Sequence, residues 1–347
     1  MQLLPTVLAA GTGEAGLRFV NSAGAVFAEF SARSGRTDGP TAEAEILRGE
    51  LSRILVEACA TGVDYVFGDY VTSLAPDLAG VTVTFAKAES RRFDMVIIAE
   101  GTQSRTRGLV FGRRPRIRDL GLYTAYGTIA RSDHDDMWWR WYNARGGRSV
   151  TLRPDNMGTA RATLSFLSRR QGYESLSVSQ QQAVLRARFA GAGWETPRIL
   201  DGFESGDELY VEHLSQVRAS TWSTGRVVLT GDAAWCASPV SGMGATLAVT
   251  GAYILAGEIS QHDDVRVALT NYERRMRPFV ERIQRLPPGV PRLAHPVSGP
   301  ALLLFRTALR LSTSAPVRFL ADRSNSGPAD DHFELPAYQF ERPPTQL

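Results

Sequence analysis

The stretch GRVVLTGDAAWCASPVSGMGATLAVTGAYILAGEI, residues 225–259, constrains the fold more than any other part of the chain. A buried β-strand, VVLT, delivers Gly231 and Asp232 at its end. A loop with Pro239, Gly242, Met243 and Gly244 follows, and it opens a long helix of small and apolar residues. Such a strand needs a sheet to pair with, and such a helix needs a layer to cover, which points to an α/β fold. An aspartate at the strand end can accept hydrogen bonds from sugar-like hydroxyls. The glycines allow a flat ligand or a phosphate to approach the backbone, and the helix N-terminus favours negative charge.

Two further stretches read in the same direction. FDMVIIAEGTQSRTR, residues 93–107, carries MVIIA, apolar throughout as in a strand buried on both faces. It ends on Glu100 and Gly101, with Ser104 and Arg107 beyond. EILRGELSRIL, residues 45–55, places Arg48 on a helix whose apolar stripe runs through Ile46, Leu47, Leu51, Ile54, Leu55 and Ala58, and Gly62 can end that helix.

Together these stretches resemble the class A flavoprotein monooxygenases, the family typified by p-hydroxybenzoate hydroxylase. Residues 225–259 resemble its second FAD-binding motif. Residues 93–107 resemble its middle motif, usually aspartate–glycine, with Glu100 in place of the aspartate. Arg48 matches the arginine that reaches the flavin in that family. LRPDN and AGWE in the middle of the chain put the resemblance nearest the branch of tetracycline-inactivating and polyketide-hydroxylating enzymes. The similarity runs from about Leu17 to about Gln284.

The resemblance implies FAD as cofactor and NAD(P)H as co-substrate. In the family, NAD(P)H reduces FAD, and the reduced flavin uses oxygen to hydroxylate an electron-rich aromatic ring or enol of a small molecule. It implies cofactor contacts at Arg48, Glu100, Gly101, Gly231, Asp232, Pro239, Gly242, Met243 and Gly244. Asp232 would meet the flavin's sugar-like chain, and residues 242–244 would lie beside the isoalloxazine or the pyrophosphate. Trp235 stands where the family often has histidine. No side chain is implied as an obligatory nucleophile, so no catalytic residue is named, and no metal is implied.

GTGEAG, residues 11–16, fits the G-x-G-x-x-G spacing but lacks its context. LLPTVLAA before it is short and interrupted by Pro5. After it, LRFV, NSAG and AVFAEF read as a β-hairpin, where a phosphate-binding turn needs a helix. Asp38 stands near the distance of the usual acidic partner, but RTDGP reads as a turn. GTGEAG is therefore expected to be a loop. The family's own first strand–helix–strand unit would lie ahead of everything seen here. On that reading the sequence is N-terminally shortened, and FAD binding by the chain as it stands is expected to be weak.

The expected architecture is α/β: a FAD-binding mixed layer of the glutathione-reductase type, an inserted antiparallel substrate sheet and C-terminal helices. Residues 1–119 and 221–290 would form the FAD-binding part, 120–220 the substrate sheet, and 291–347 a helix and an extended tail. VDYVFGDYV, VTVTFA and RRFDMVIIAEG read as three strands, and QQQAVLRARFAGAGW as the one helix interrupting the substrate sheet, closed by glycine and Pro197. A long helix over residues 265–284 is expected to bend at Pro278.

Of the 347 residues, 43% are hydrophobic and 22% charged, which suits an ordinary globular protein. The 39 basic and 36 acidic residues give +3, too little to argue for nucleic acid. Cys59 and Cys236 suggest neither a disulfide framework nor a metal site and suit a cytoplasmic protein. ALLLFRTALRL, residues 301–311, is too short for a membrane span and reads as amphipathic. His134 among Asp133, Asp135 and Asp136 reads as a polar loop. Trp138, Trp139 and Trp141 read equally as a pocket for a flat substrate or as sheet packing. A flavin-free relative acting as a redox-neutral cyclase, isomerase or ligand-binding protein is the second functional reading the sequence leaves open, and an inactive remnant the third.

Overall fold

The computed structural model describes residues 3–32, 45–112, 115–206, 208–287, 289–313 and 333–340. Asp38 lies outside them. The chain separates into two compact units. One holds Met1–Asp64, Asp119–Leu214 and Pro288–Ala329; the other holds Tyr65–Arg118, Ser215–Pro287 and Asp330–Leu347.

The first unit is built on a seven-stranded sheet. Its strands run in the order Leu209–Arg218, Arg116–Ala130, Thr159–Leu167, Arg148–Pro154, Trp138–Ala144, Gly16–Val20 and Val26–Ser31. The hairpin read after GTGEAG is there: Gly16–Val20 pairs antiparallel with Val26–Ser31. Its first strand also pairs in parallel with Trp138–Ala144, so the sheet expected to be antiparallel is mixed. That pairing joins the first residues of the chain to the sheet, whereas the sequence suggested they went with the FAD-binding part. Local periodicity carries no information about a partner more than a hundred residues away.

Alternation sets the two faces of this sheet. Tyr123, Ala125, Val150, Leu152, Ala162, Leu164 and Phe166 are buried with Leu185, Phe189, Ile199 and Phe203. Those last four come from two helices, Val178–Phe189 and Thr196–Ser205, where the sequence suggested one. Pro197 opens the second helix instead of closing the first, because proline at the first turn sacrifices no helical hydrogen bond. Elsewhere on the sheet, Leu17 and Phe19 form a cluster with Trp139, Trp141, Phe305 and Leu309. The helix Gly299–Ser312 supplies the last two. Trp139 and Trp141 are thus packing residues, and Trp138 lies under the Arg18 guanidinium at 3.9 Å.

The second unit contains two small sheets. In one, Val227–Leu229 lies between Ser223–Thr224 and Val96–Ile98, parallel to the latter. The other is an antiparallel meander of Val71–Pro76, Val81–Phe85 and Arg91–Phe93. Residues 63–69, read as part of a strand, lie outside both sheets among the described residues, and Phe67 there is 86% exposed. RRFDMVIIAEG makes two short strands in different sheets, because the chain turns at residues 94–95. Val96–Ile98 is also not buried on both faces: Ile97 is 46% exposed. The helices Gly244–Gln261 and Val265–Ile283, the latter with Pro278 inside it, pack over a core of Val227, Val228, Leu229, Trp235, Leu247, Ile254, Tyr272 and Met276. No helix among the described residues is long and apolar enough to cross a membrane.

Candidate functional site

Parallel pairing puts the ends of Val96–Ile98 and Val227–Leu229 side by side, and the Thr230 amide donates to the Ile98 carbonyl at 3.0 Å. The segments leaving these strands therefore start together: Glu100 and Gly101 from one, Gly231 and Asp232 from the other. Ligands bind outside the carboxyl ends of parallel strands because backbone groups and helix N-termini converge there. Gly231 has φ 59° and ψ −149°, a conformation that essentially only glycine adopts. It turns the chain into the short helix Asp232–Trp235 and leaves Asp232 exposed, with no hydrogen bond or ion pair among the described residues.

Beyond Trp235 the chain runs through a constrained loop. Ser238, 3% exposed, adopts φ 72° and ψ 147°, and its buried Oγ has no partner among the described residues. A non-glycine residue held there is strained, and such strain collects at ligand sites. The Ser238 carbonyl accepts from the Ser241 amide at 3.0 Å and the Ser241 hydroxyl at 2.8 Å, closing the turn Pro239–Ser241. The Met243 amide donates to Ser241 Oγ at 3.2 Å. The helix Gly244–Gln261 then begins without a side-chain cap, so its first amides are available to a ligand. A Cβ placed on Gly101, Gly231, Gly242 or Gly244 would meet no atom within 4 Å. All four glycines border open space.

Arg107 joins the two segments. Its buried guanidinium donates to the Ala233 carbonyl at 2.6 Å and to the Thr102 carbonyl at 2.9 Å. Burial lowers its affinity for the proton, and the nearby Glu100 charge opposes that. Glu100 itself is engaged locally. One carboxylate oxygen accepts from Ser104 Oγ at 2.6 Å and the Thr106 amide at 3.0 Å, and the other from Thr106 Oγ1 at 2.5 Å. Burial pushes its pKa up, but these hydrogen bonds and Arg107 outweigh burial and leave it below the ordinary glutamate value. The extra methylene relative to aspartate lets the carboxylate fold back onto the helix Arg105–Phe111, whose N-cap is Ser104.

Trp235, at the position of the family's histidine, is fully buried against Trp222 at 6.0 Å between ring centroids. A Cβ on Gly251 would lie 2.8 Å from its indole, so it fills the core under the long helix.

In the first unit, Arg48 begins the helix Arg48–Ala58 and is exposed. It acts on a cluster that sequence reasoning missed. Tyr126 donates to Glu212 and stacks on Tyr210 at 6.2 Å. Burial raises the Tyr126 pKa strongly, as do the charge and hydrogen bond of Glu212, while Arg48 opposes them. These residues meet across adjacent strands, which local sequence does not reveal. GTGEAG has a structural role here. Glu14, buried and with its pKa raised by that burial, is held by Arg153 at 2.7 Å, and Arg153 also pairs with Glu45 at 3.0 Å. The acids near His134 are engaged as well: Asp135 pairs with Arg140 and Arg198, and Asp136 with Arg18. Among the described residues no group of three His, Cys, Asp or Glu could hold a metal ion.

A family model described as the FAD binding domain matches residues 3–286. The chain belongs to this family. A flavin-dependent monooxygenase, eupH of a Phoma species, is 33% identical over 358 residues, covering 94% of this chain and 82% of that protein. A flavin-dependent monooxygenase of Legionella longbeachae is 34% identical over 276 residues, covering 77% and 69%. Among solved structures, the tetracycline destructase Tet(51) superposes with a TM-score of 0.76 at 26% identity, covering 97% of this chain and 84% of that one. HpxO of Klebsiella pneumoniae, solved with FAD and uric acid, shares the fold, with a TM-score of 0.70 at 22% identity over 93% and 83%. This protein is thus a member of the FAD-dependent monooxygenase family with its α/β fold. A free carboxylate stands at a strand end, an uncapped helix follows, and glycines border open space.

Proposed function

We propose that this protein is a monooxygenase that uses FAD and NAD(P)H to hydroxylate an aromatic or polyketide-type small molecule. The observation that carries this reading is the exposed Asp232, without a partner among the described residues, beside Gly231, Gly242 and Gly244, each open where a side chain would be. FAD, when bound, supplies the redox and oxygen chemistry that amino-acid side chains lack. Asp232 accepts hydrogen bonds from the hydroxyls of the flavin's side chain. Gly231, Gly242 and Gly244 let backbone amides come close, and Pro239 and Met243 shape the loop that presents them. Gly101 opens the neighbouring turn, and Glu100 acts through the Ser104 helix it holds. Arg48 is assigned to the flavin on the family resemblance alone. The substrate class rests on relatives named as flavin-dependent monooxygenases and on the likeness to a tetracycline destructase. Two free cysteines suit a reducing compartment, the cytoplasm.

The test is a flavin titration followed by fluorescence quenching, paired with oxygen-dependent NADH and NADPH consumption on phenolic and polyketide compounds. Saturable but weak FAD binding is expected. Asp232→Ala should weaken it at least about tenfold, as for loss of a charge-assisted hydrogen bond. Equal affinity in the variant would remove Asp232 from the site, and substrate-independent rates throughout would remove the hydroxylase assignment.

A further inference from the structure

The second unit has a cavity of about 180 Å³ that the flavin reading does not use. Its lining includes Arg218, Trp222, Trp235, Arg277, Glu281 and Arg285, and none of Gly101, Gly231, Asp232, Gly242 or Gly244. Three guanidinium groups and one carboxylate thus converge on a small space with tryptophans in its wall.

The arginines differ in how they are held. Arg277 pairs with Glu273, donates to the Ser220 carbonyl at 3.0 Å and lies over the Trp222 ring at 4.6 Å. Glu273 is itself fixed, accepting from the Trp222 amide at 3.0 Å. Arg218 has no carboxylate partner among the described residues. Its Nη2 donates to the Gln284 carbonyl at 2.8 Å and to Gln216 Oε1 at 3.2 Å, and its buried Nε–H has no partner there. Arg285 is exposed and likewise has no ion pair among the described residues. Arg116 and Arg118 add positive charge close enough to act on Arg218. Burial, then Arg118 and Arg116, lower the proton affinity of Arg218, and Glu281 only partly offsets them.

Like charges held together cost stability unless something neutralises them, and an unpaired buried N–H costs more. A chain that lines one small cavity with three arginines, two more acting on Arg218 from nearby, and with Glu281 as the one acid in that lining among the described residues, is arranged for an anion. Guanidinium forks match the oxygens of phosphate, and a multiply charged group makes use of several of them at once. The volume is below that of ordinary drug-sized pockets, so the group that enters is small.

We propose that this cavity binds a phosphate group, with Arg218, Arg277 and Arg285 as its ligands and Glu281 weakening the affinity. The phosphate belongs either to a free mono- or diphosphate or to the end of a nucleotide. The proposal stands independently of the flavin assignment.

Calorimetric titration of the purified protein with inorganic phosphate, pyrophosphate and adenosine 2′,5′-bisphosphate tests it. Saturable 1:1 binding is expected, weakening steeply with added salt. Arg285→Ala and Arg218→Lys should weaken it at least about tenfold, and Glu281→Gln should tighten it several-fold. Arg285 and Glu281 are exposed, so their variants keep the test informative if Arg218→Lys fails to fold. Tighter binding of the bisphosphate than of pyrophosphate identifies a nucleotide source, and the reverse identifies a free phosphate. Saturating FAD should leave the binding in place. No binding of any probe, binding indifferent to Arg285→Ala and Glu281→Gln, or displacement by FAD would overturn the proposal.

Discussion

At Glu100 the family's usual aspartate is one methylene longer, and the structure turns that difference into a helix cap. The carboxylate accepts three hydrogen bonds from Ser104 and Thr106. Glu100→Ala should therefore destabilise the protein by about 1 kcal/mol, the usual size of a lost cap, measured by urea unfolding at pH 7. The sign of the pH dependence follows from the lowered pKa. The cap's contribution is fully present above the ordinary glutamate value and is lost as pH falls through the folded one. The wild type and variant should converge in acid; a gap that widens there would contradict the cap. Asp232, Gly231 and the glycine loop were legible in the sequence because strand, turn and helix are contiguous there. The bridge made by Arg107 and the strain at Ser238 were not, since one depends on a partner 126 residues away and the other on a backbone angle.

At the scale of elements, the long helix Gly244–Gln261 was readable from its apolar run, but what covers it was not. Residues 333–340 pack on it and on the helix Val265–Ile283: Tyr338 donates to Glu258 at 2.5 Å and Tyr253 donates to the Pro336 carbonyl at 2.9 Å, while Phe333 stacks on Phe279 of the second helix at 4.5 Å. Glu258 is 1% exposed and also pairs with Arg275 at 2.6 Å. A Cβ on Gly257 would lie 2.1 Å from the Tyr338 ring. In an open helix Gly→Ala stabilises by roughly 0.5–1 kcal/mol. Here Gly257→Ala should instead destabilise, by roughly 1–3 kcal/mol for an overpacked contact. The sign of the change in melting temperature decides whether the tyrosine occupies that groove in solution. The sequence described this tail only as extended, because a short aromatic segment without periodicity has no signature until its receiving surface is known. Residues 63–69 show the opposite error: aromatic and β-branched residues read as a strand, yet among the described residues they lie outside every sheet.

At the scale of the whole molecule, each unit has its own hydrophobic core, one around Tyr123, Leu164 and Phe189, the other around Val228, Trp235 and Met276. Two cores in one chain are a reason for departure from two-state unfolding. Hydrogen exchange across a urea series should show residues 148–167 and residues 227–229 losing protection at different midpoints. A single shared midpoint would mean that the units open as one. Fold class was legible because the three motif-bearing stretches are each local. The division into units was not, because it depends on the parallel pairing of Gly16–Val20 with Trp138–Ala144.

Within the second unit, Arg107 gives two turns a common history as well as a common shape. One buried cation clasps two carbonyls, one in each of the turns that flank the open space beside Asp232. Neither turn is free to drift alone through evolution: an insertion in one would tug on the other, and a designer transplanting the aspartate turn into another scaffold would have to carry its distant arginine along.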